Sequence, residues 1–388
     1  MGMREGAGSE RAMGKLRVGV IFGGRSGEHE VSLASARSVM GAMDPEKYEV
    51  VPIGITKEGV WIASGDPMAA LTEGDLSLSA PATLLPDPSR RGLMRLEEED
   101  GKTALSLLAE LDVVFPVLHG PYGEDGTVQG LLDLAGVPYV GAGVTGSALG
   151  MDKAIFKRVM QAHGLPVVDY LLVMRREWEA DPEGVMDRVE EELGYPVFTK
   201  PANLGSSVGV SKCRDREGLA RGLANAARYD RKLLVEAAVP QAREIEVSVL
   251  GNDEPIASVP GEIVPSREFY SYAAKYLDEG DRASELIIPA PLPPEVAERV
   301  RELAVQAYVA IDCAGMARAD FLLSRETGAL YVNELNTIPG FTAISMYPKL
   351  WEASGIPYPE LIDRLIELAL ERHADRMRNR TSYQPEEE

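Results

Sequence analysis

Residues 17–22 read RVGVIF and end in Gly23-Gly24, and the next apolar positions, Val31, Leu33, Ala34, Val39 and Met40, recur at helical spacing. A β-rich run, a glycine turn and an amphipathic helix open a doubly wound α/β unit. YEVVPIGIT predicts a second strand. LDVVFPVLHG then runs into PYGEDGTVQGLLDLAG, repeating strand, polar glycine turn and helix, and VPYVGAG reads as a short strand closing the unit near residue 145. Between residues 63 and 110, Gly, Pro, Ser and acidic positions dominate, and GLMRLEE and TALSLL around EEEDGK predict a surface hairpin.

The pattern then changes. SALGMDKAIFKRVMQAHG predicts a helix, Leu165-Pro166-Val167-Val168 begins a strand, and a helix runs from about Asp181 to Leu193. GYPVFTKPANLGSSVGVSKC reads as strand, Gly/Ser loop, strand, and is followed by a helix (EGLARGLANAAR) and the strand KLLVEAAVP. REIEVSVLGN and EPIASVPGEIVP alternate as strands of an antiparallel sheet do. Residues 265–288 are polar and aromatic without a period, which suggests a long functional loop. A helix (PEVAERVRELAVQAYVAI), a hairpin (GMARADFLLSRETGALYVNELN) and a C-terminal helix complete the chain. The expected division is an extension over 1–14, an N-terminal α/β domain over 15–145, a central unit over 146–235, a C-terminal unit over 236–375 and a tail over 376–388.

The length, 388 residues, fits such a multidomain chain. Lys and Arg total 40 against 61 Asp and Glu, a formal net charge of −21, which argues against a protein that coats nucleic acid. An acidic shell still permits a local cationic pocket for an anionic small molecule. Cys213 and Cys313 make neither a disulfide framework nor a zinc site and read as buried thiols in a reducing compartment. No apolar run nears the ~18 residues of a membrane span, and the first residues lack the apolar core of a secretory signal. A cytoplasmic protein without membrane contact is expected.

Four groups of residues suggest chemistry. Asn203-Leu204-Gly205-Ser206-Ser207-Val208-Gly209 lies between two predicted strands, where small residues let backbone N–H groups approach an anion. Lys200 supplies a point charge just before it. Glu334 and Asn336 share one strand face, with Asp320 on the partner strand, and three oxygen ligands without His or Cys suit Mg²⁺ bridging phosphates. Arg318, two residues before Asp320, is placed to stabilise developing negative charge, and the Pro339-Gly340 turn offers a backbone N–H. His119 and Glu28 end predicted parallel strands, where open α/β sheets bind ligands. His29, His163 and His373 read as surface positions, and the missing GxGxxG argues against a dinucleotide site.

HGPYGEDGTVQG, KPANLGSSVGVSK and MARADFLLSRETGALYVNELNTIPG, in that order, together with SGEHEVSL and YSYAAKY, resemble the signatures of the D-alanine–D-alanine ligase family of the ATP-grasp superfamily. The resemblance covers Arg17 to about Leu370. It implies an ATP-grasp fold, α/β and α+β, behind an N-terminal doubly wound parallel-sheet domain. It also implies ATP-dependent joining of two D-alanines through an acyl phosphate, for peptidoglycan precursors. By similarity Lys153 and Lys200 hold ATP phosphates, Lys275 the transferred phosphoryl, and Ser206 and Ser207 the loop that closes over them. Asp320, Glu334 and Asn336 hold Mg²⁺, for which Mn²⁺ substitutes. Glu28 pairs with the first D-alanine's ammonium, with His119 nearby; Arg318 and the Gly340 backbone form the oxyanion site; Ser345 binds the second carboxylate. Glu28, Ser206 and Tyr276 are expected to bond to one another. Adenine is expected beside Glu236-Ala237-Ala238-Val239, and ribose on Glu244 or Glu246, with Glu244 favoured. Tyr276, after Lys275, points to D-alanine in both sites, and the family suggests a homodimer. The rival readings are a D-alanyl-D-lactate or D-alanyl-D-serine ligase, and a silent nucleotide-binding relative.

Overall fold

The computed structural model describes residues 14–90, 92–265, 284–342 and 344–382. Its first sheet is built on β1 (Leu16–Gly23), β2 (Tyr48–Ile55) and β7 (Val113–Val117), with β1 parallel to both neighbours. Six of the eight β1 residues are buried, because α1 (His29–Ala42) covers one face and α3 (Thr127–Ala135) the other. Val18, Val20 and Phe22 pack toward Leu33, Ala36 and Val39, whereas Ile21 packs toward Val128 and Leu132. This is the period-two alternation of a strand with both faces covered. Gly23 has φ +91°, and a Cβ there would lie 2.2 Å from the Ile55 carbonyl oxygen, so the turn that starts the site needs glycine.

The parallel character stops at these three strands. β3 (Trp61–Ala63), β4 (Ala80–Leu84), β5 (Leu93–Glu99) and β6 (Lys102–Ala109) add antiparallel strands, giving the order β6-β5-β4-β3-β2-β1-β7. The hairpin expected over residues 63–110 is therefore β5 and β6, and it lengthens the sheet. The strand expected at VPYVGAG is a single parallel bridge between Val114 and Tyr139.

α4 (Val144–Met151) and α5 (Lys153–Ala162) lead into a second sheet, ordered β10-β9-β11-β8. It comprises β8 (Tyr170–Met174), β9 (Val197–Pro201), β10 (Ser211–Cys213) and β11 (Lys232–Ala237). β8 starts at Tyr170, past the strand onset expected at Leu165. α6 (Arg175–Ala180) precedes α7 (Pro182–Glu192), which, with α8 (Arg216–Ala226), backs one face. Val185, Val189, Leu219 and Leu223 meet Val197, Leu233 and Val235. The alternate β11 residues Leu234 and Glu236 therefore point the other way.

A third sheet is ordered β15-β14-β12-β16-β17, with β13 on β12. It comprises β12 (Ala242–Gly251), β13 (Ile256–Ala257), β14 (Gly261–Val264), β15 (Glu285–Ile287), β16 (Gly315–Ser324) and β17 (Leu330–Asn336). α9 (Pro294–Ala310) covers the face bearing Ile245, Val247, Val249, Ala317, Ala319 and Phe321. The intervening Glu244, Glu246, Arg318 and Asp320 thus face away from α9. The chain ends in α10 (Met346–Ala353) and α11 (Tyr358–Arg376). Leu361, Ile362, Leu365 and Ile366 of α11 join the core of Val18, Val20 and Phe22, so the last helix packs against the first sheet.

The boundaries expected at 145/146 and 235/236 fall inside α4 and β11. A division after Ala237 keeps β11 with β9 and β8, the strands it pairs with.

Candidate active site

The polar faces of the second and third sheets look at each other across a cleft. Its walls include Phe198 and Lys200 of β9, residues 204–208, Glu236 of β11, Glu244 and Glu246 of β12, Asp320 of β16, Glu334 of β17 and Lys153 of α5. Asp152 caps α5, accepting from the Ala154 and Ile155 amides at 3.1 and 3.2 Å, and the Lys153 amide donates to the Ala202 carbonyl at 3.0 Å. This anchoring aims the Lys153 ammonium at the Leu204 carbonyl (3.0 Å) and the Glu334 carboxylate (3.1 Å). Burial opposes that charge, but Glu334, with Glu236 and Glu124 beyond it, raises the Lys153 pKa.

The hairpin register makes the anionic cluster. Arg318 lies opposite Asn336, and Asp320 opposite Glu334, so all four side chains meet on one face, as the sequence spacing predicts. Arg318 grips Asp320 with two 2.7 Å bonds and approaches Glu246 at 3.0 Å, while the Asn336 amide donates to Asp320 at 2.9 Å. Burial works against the Arg318 charge, yet Asp320 and Glu246 hold its pKa well above the ordinary value. Glu246 is thus paired with Arg318, and Glu244 stands beside it in the cleft wall.

Lys200 pairs with Glu236 at 2.6 Å. Glu236 is held ionised against burial by Lys157 and Lys200, and its pKa is lowered. The Ala237 and Ala238 amides donate to the Asp169 and Pro196 carbonyls at 2.9 and 3.1 Å. Any adenine contact along 236–239 must therefore use other atoms of that segment.

The Gly/Ser loop closes one side. Ser206 and Ser207 take left-handed backbone, φ 51° and 57°, which side chains other than glycine's rarely adopt. The Ser206 hydroxyl donates to the Glu28 carboxylate, joining the loop to the N-terminal domain. A Cβ on Gly205 would come 2.7 Å from Glu28 Oε2, so glycine is what permits this approach.

Behind Glu28 lies a buried network. His119 Nδ1 bonds the Ile338 carbonyl at 3.0 Å and Nε2 the Ser35 hydroxyl at 3.3 Å; burial lowers its pKa. Glu124 accepts from the Gly120 and Ile338 amides at 2.7 and 3.2 Å. Burial, reinforced by Glu28, pushes the Glu124 carboxyl up to about 8. The Phe341 amide donates to Ser35 at 3.2 Å. Ile338 and Phe341 are therefore both pinned, and Pro339-Gly340 is suspended between them. Ser345 Oγ accepts from the Thr342 amide at 3.0 Å and sits 2.7 Å from its hydroxyl, facing Gly340.

Lys153, Lys200, Ser206, Ser207, Glu236, Glu244, Asp320 and Glu334 thus line the cleft, and Arg318, Asn336 and Glu28 join it through Asp320 and Ser206. His119, Gly340 and Ser345 instead lie on the network behind Glu28 and the segment that follows Ile338, and Ala237 and Val239 do not line the cleft. Lys275 and Tyr276 lie outside the described residues. Glu124, Ser35 and Lys157 escaped the sequence reading, although Glu124 stands inside HGPYGEDG. His29 is buried, not exposed as expected, because its Nδ1 bonds the Gly24 carbonyl at 2.9 Å. Cys213 and Cys313 are buried free thiols.

Two helix-backed antiparallel sheets facing each other across a lysine- and carboxylate-lined cleft define an enzyme of the ATP-grasp class. Models of the D-ala D-ala ligase N-terminus and C-terminus match residues 17–142 and 159–367. The chain belongs to the D-alanine–D-alanine ligase family. The D-alanine–D-alanine ligase of Natranaerobius thermophilus is 50% identical over 372 residues, 96% of this chain and 99% of that protein. Among solved structures, the D-alanine–D-alanine ligase from Coxiella burnetii is 36% identical with TM-score 0.78, covering 94% of this chain and 96% of its own. The VanG D-Ala:D-Ser ligase from Enterococcus faecalis is 34% identical with TM-score 0.79, covering 92% and 100%.

Proposed function

We propose that the protein joins two D-alanines into D-alanyl-D-alanine at the expense of ATP, releasing ADP and phosphate, for peptidoglycan precursors. The observation that carries the reading is the Ser206–Glu28 bond. It ties a phosphate-type loop to a carboxylate suited to a substrate ammonium, so nucleotide and amino acid meet at one place.

Each step then has a residue. Lys153 and Lys200 hold the ATP phosphates, with Lys275 on the transferred phosphoryl. Glu28 orients the first D-alanine so that a carboxylate oxygen attacks the γ-phosphorus, and the bond to ADP breaks. The second D-alanine, its carboxylate held by Ser345, presents its neutral amine to the acyl carbon. The oxyanion that forms lies between the Arg318 guanidinium and the Gly340 amide, which are fixed before reaction. As it collapses the carbon–oxygen bond to phosphate breaks, and the departing phosphate carries away the proton that the attacking nitrogen gives up. His119 and Glu124 act from behind by holding Ile338, and hence Gly340, in place. Glu236 to Val239 flank adenine, and Glu244 takes the ribose.

The cleft suits a divalent metal. Its walls carry Lys153 and Lys200 against Glu236, Glu244, Glu246, Asp320 and Glu334, a surplus of carboxylate that repels a bare triphosphate. Asp320, Glu334 and Asn336 are the hard oxygen donors that Mg²⁺, or Mn²⁺, prefers. When bound, the metal neutralises phosphate charge as the phosphoryl group moves. We also propose a cytoplasmic homodimer with three domains, divided before α4 and after Ala237, and no nucleic-acid or membrane partner. Among the described residues no helix is long and apolar enough to cross a membrane.

The test is phosphate release from ATP and Mg²⁺, with and without D-alanine, and product mass. D-alanine-dependent release with a D-alanyl-D-alanine product is expected. Release only when D-serine or D-lactate is added would overturn the acceptor reading from Tyr276. Silence with all three acceptors would refute the activity.

A further inference from the structure

Lys157 is wholly buried and does not line the cleft. It sits one turn after Lys153 on α5, so both project from the same helix face. Its ammonium lies 3.0 Å from Glu236 Oε1, while the other carboxylate oxygen, Oε2, contacts Lys200 at 2.6 Å. Glu236 is thus shared by one lysine inside the cleft and one behind it. The Tyr170 ring, 5.8 Å from the ammonium, adds a weaker attraction.

A fully buried lysine is costly to keep charged, and an apolar residue of similar length would pack there more cheaply. What an apolar residue would not do is offset Glu236. With Glu236 facing Lys200 alone, the pair would be neutral and the lysine's charge spent on its neighbour. With Lys157 behind, two ammonium groups share one carboxylate, and a net positive charge remains toward the cleft.

We propose that Lys157 is a positioning residue for nucleotide binding: by neutralising Glu236 from behind, it leaves the Lys200 charge available to the ATP polyphosphate. This rests on the ligase reading above. Burial lowers the Lys157 pKa, Glu236 opposes that, and the neighbouring Lys200 charge adds to the lowering. Lys157 does not line the cleft, so its effect passes through Glu236 and Lys200.

The experiment compares wild type, Lys157→Met, Lys157→Arg, Glu236→Gln and the double variant in the full chain. KM for ATP, KM for D-alanine, kcat and the melting temperature are measured, with adenosine as a competing ligand. Lys157→Met should raise KM for ATP about tenfold, the scale of a close charge-pair coupling. KM for D-alanine and adenosine affinity should move less than about twofold, and Lys157→Arg should recover most of the loss. In the Glu236→Gln background, Lys157→Met should change KM for ATP by less than about twofold, because the charge to be offset is gone. That last comparison stands even if the single Lys157→Met protein fails to fold. An undiminished ATP defect in that background, or equal losses for ATP, adenosine and D-alanine, would overturn the proposal. A wild-type protein inactive with ATP and D-alanine would instead sink the ligase reading on which it rests.

Discussion

Replacing Arg318 by Ala separates two effects that the site makes large. Arg318 has a side chain 16% exposed, two 2.7 Å bonds to Asp320 and a 3.0 Å contact with Glu246. Those carboxylates are themselves 13% and 5% exposed, so removing the guanidinium strands two buried anions. Breaking such a pair costs about 3–5 kcal/mol of folding stability. Losing one preorganised oxyanion donor costs about 3 kcal/mol of transition-state stabilisation, a fall in kcat of roughly 10²–10³. Arg318→Lys keeps the charge but not the planar fork, and should lie between the two. The assay is D-alanine-dependent phosphate release at saturating substrates, run well below the variant's melting temperature, beside a direct ATP titration. The expected result is a collapsed kcat with ATP affinity changed by less than about tenfold. A folded Arg318→Ala protein with kcat near wild type would refute the assignment of Arg318 to the oxyanion.

Glu124, ordinarily near 4.5 and pushed up to about 8, holds in the folded protein a proton that the unfolded chain releases. Its contribution to stability is complete below about 4.5 and is lost as pH rises to about 8, the sign for a raised carboxyl. Glu124→Gln, neutral at every pH, should flatten the melting temperature between pH 5 and 8; an unaltered slope would show that other groups set it. Gly205→Ala drives a methyl to within 2.7 Å of Glu28 Oε2 and should lower kcat/KM for D-alanine by about ten- to a hundredfold, with little change in the melting curve. Leu365→Ala, at a fully buried position of α11, should cost about 2–5 kcal/mol in denaturant titration while leaving KM for both substrates unchanged.

Much of this site is legible in the sequence because it is local. Arg318 and Asp320, like Glu334 and Asn336, stand two residues apart on strands, and the alternation of a hairpin puts them on one face without further information. The Gly/Ser loop announces itself by composition. What escaped depends on contacts between distant segments. Glu124 matters because its carboxylate meets Ile338, 214 residues away, and Lys157 because α5 packs beside β11. Neither has a pattern that separates it from a surface acid or base. Hydrophobic text without a register misleads in the same way. VPYVGAG has the residues of a strand but pairs only once, and LPVV precedes its strand, because Val332 already bonds the Pro166 carbonyl there. Of the antiparallel extension, the β5–β6 hairpin was legible, whereas β3 and β4 were hidden because they are short and set among Gly, Pro and acidic residues.

The docking of α11 on the first sheet has a consequence for biosynthesis. Every residue proposed to touch substrate or nucleotide precedes Met346, so the chemistry is encoded before the last two helices emerge from the ribosome. Yet the apolar face around Val18, Val20 and Phe22 is sealed by Leu361, Ile362, Leu365 and Ile366, which are synthesised after every one of those site residues. The parallel-sheet domain is thus finished only after the reaction centre has been made, and its sticky surface must be tolerated in the interval. A premature stop before Tyr358 would yield a chain with its whole reaction centre and an open flank, marked for aggregation or proteolysis by the missing end rather than by any defect in its catalytic parts.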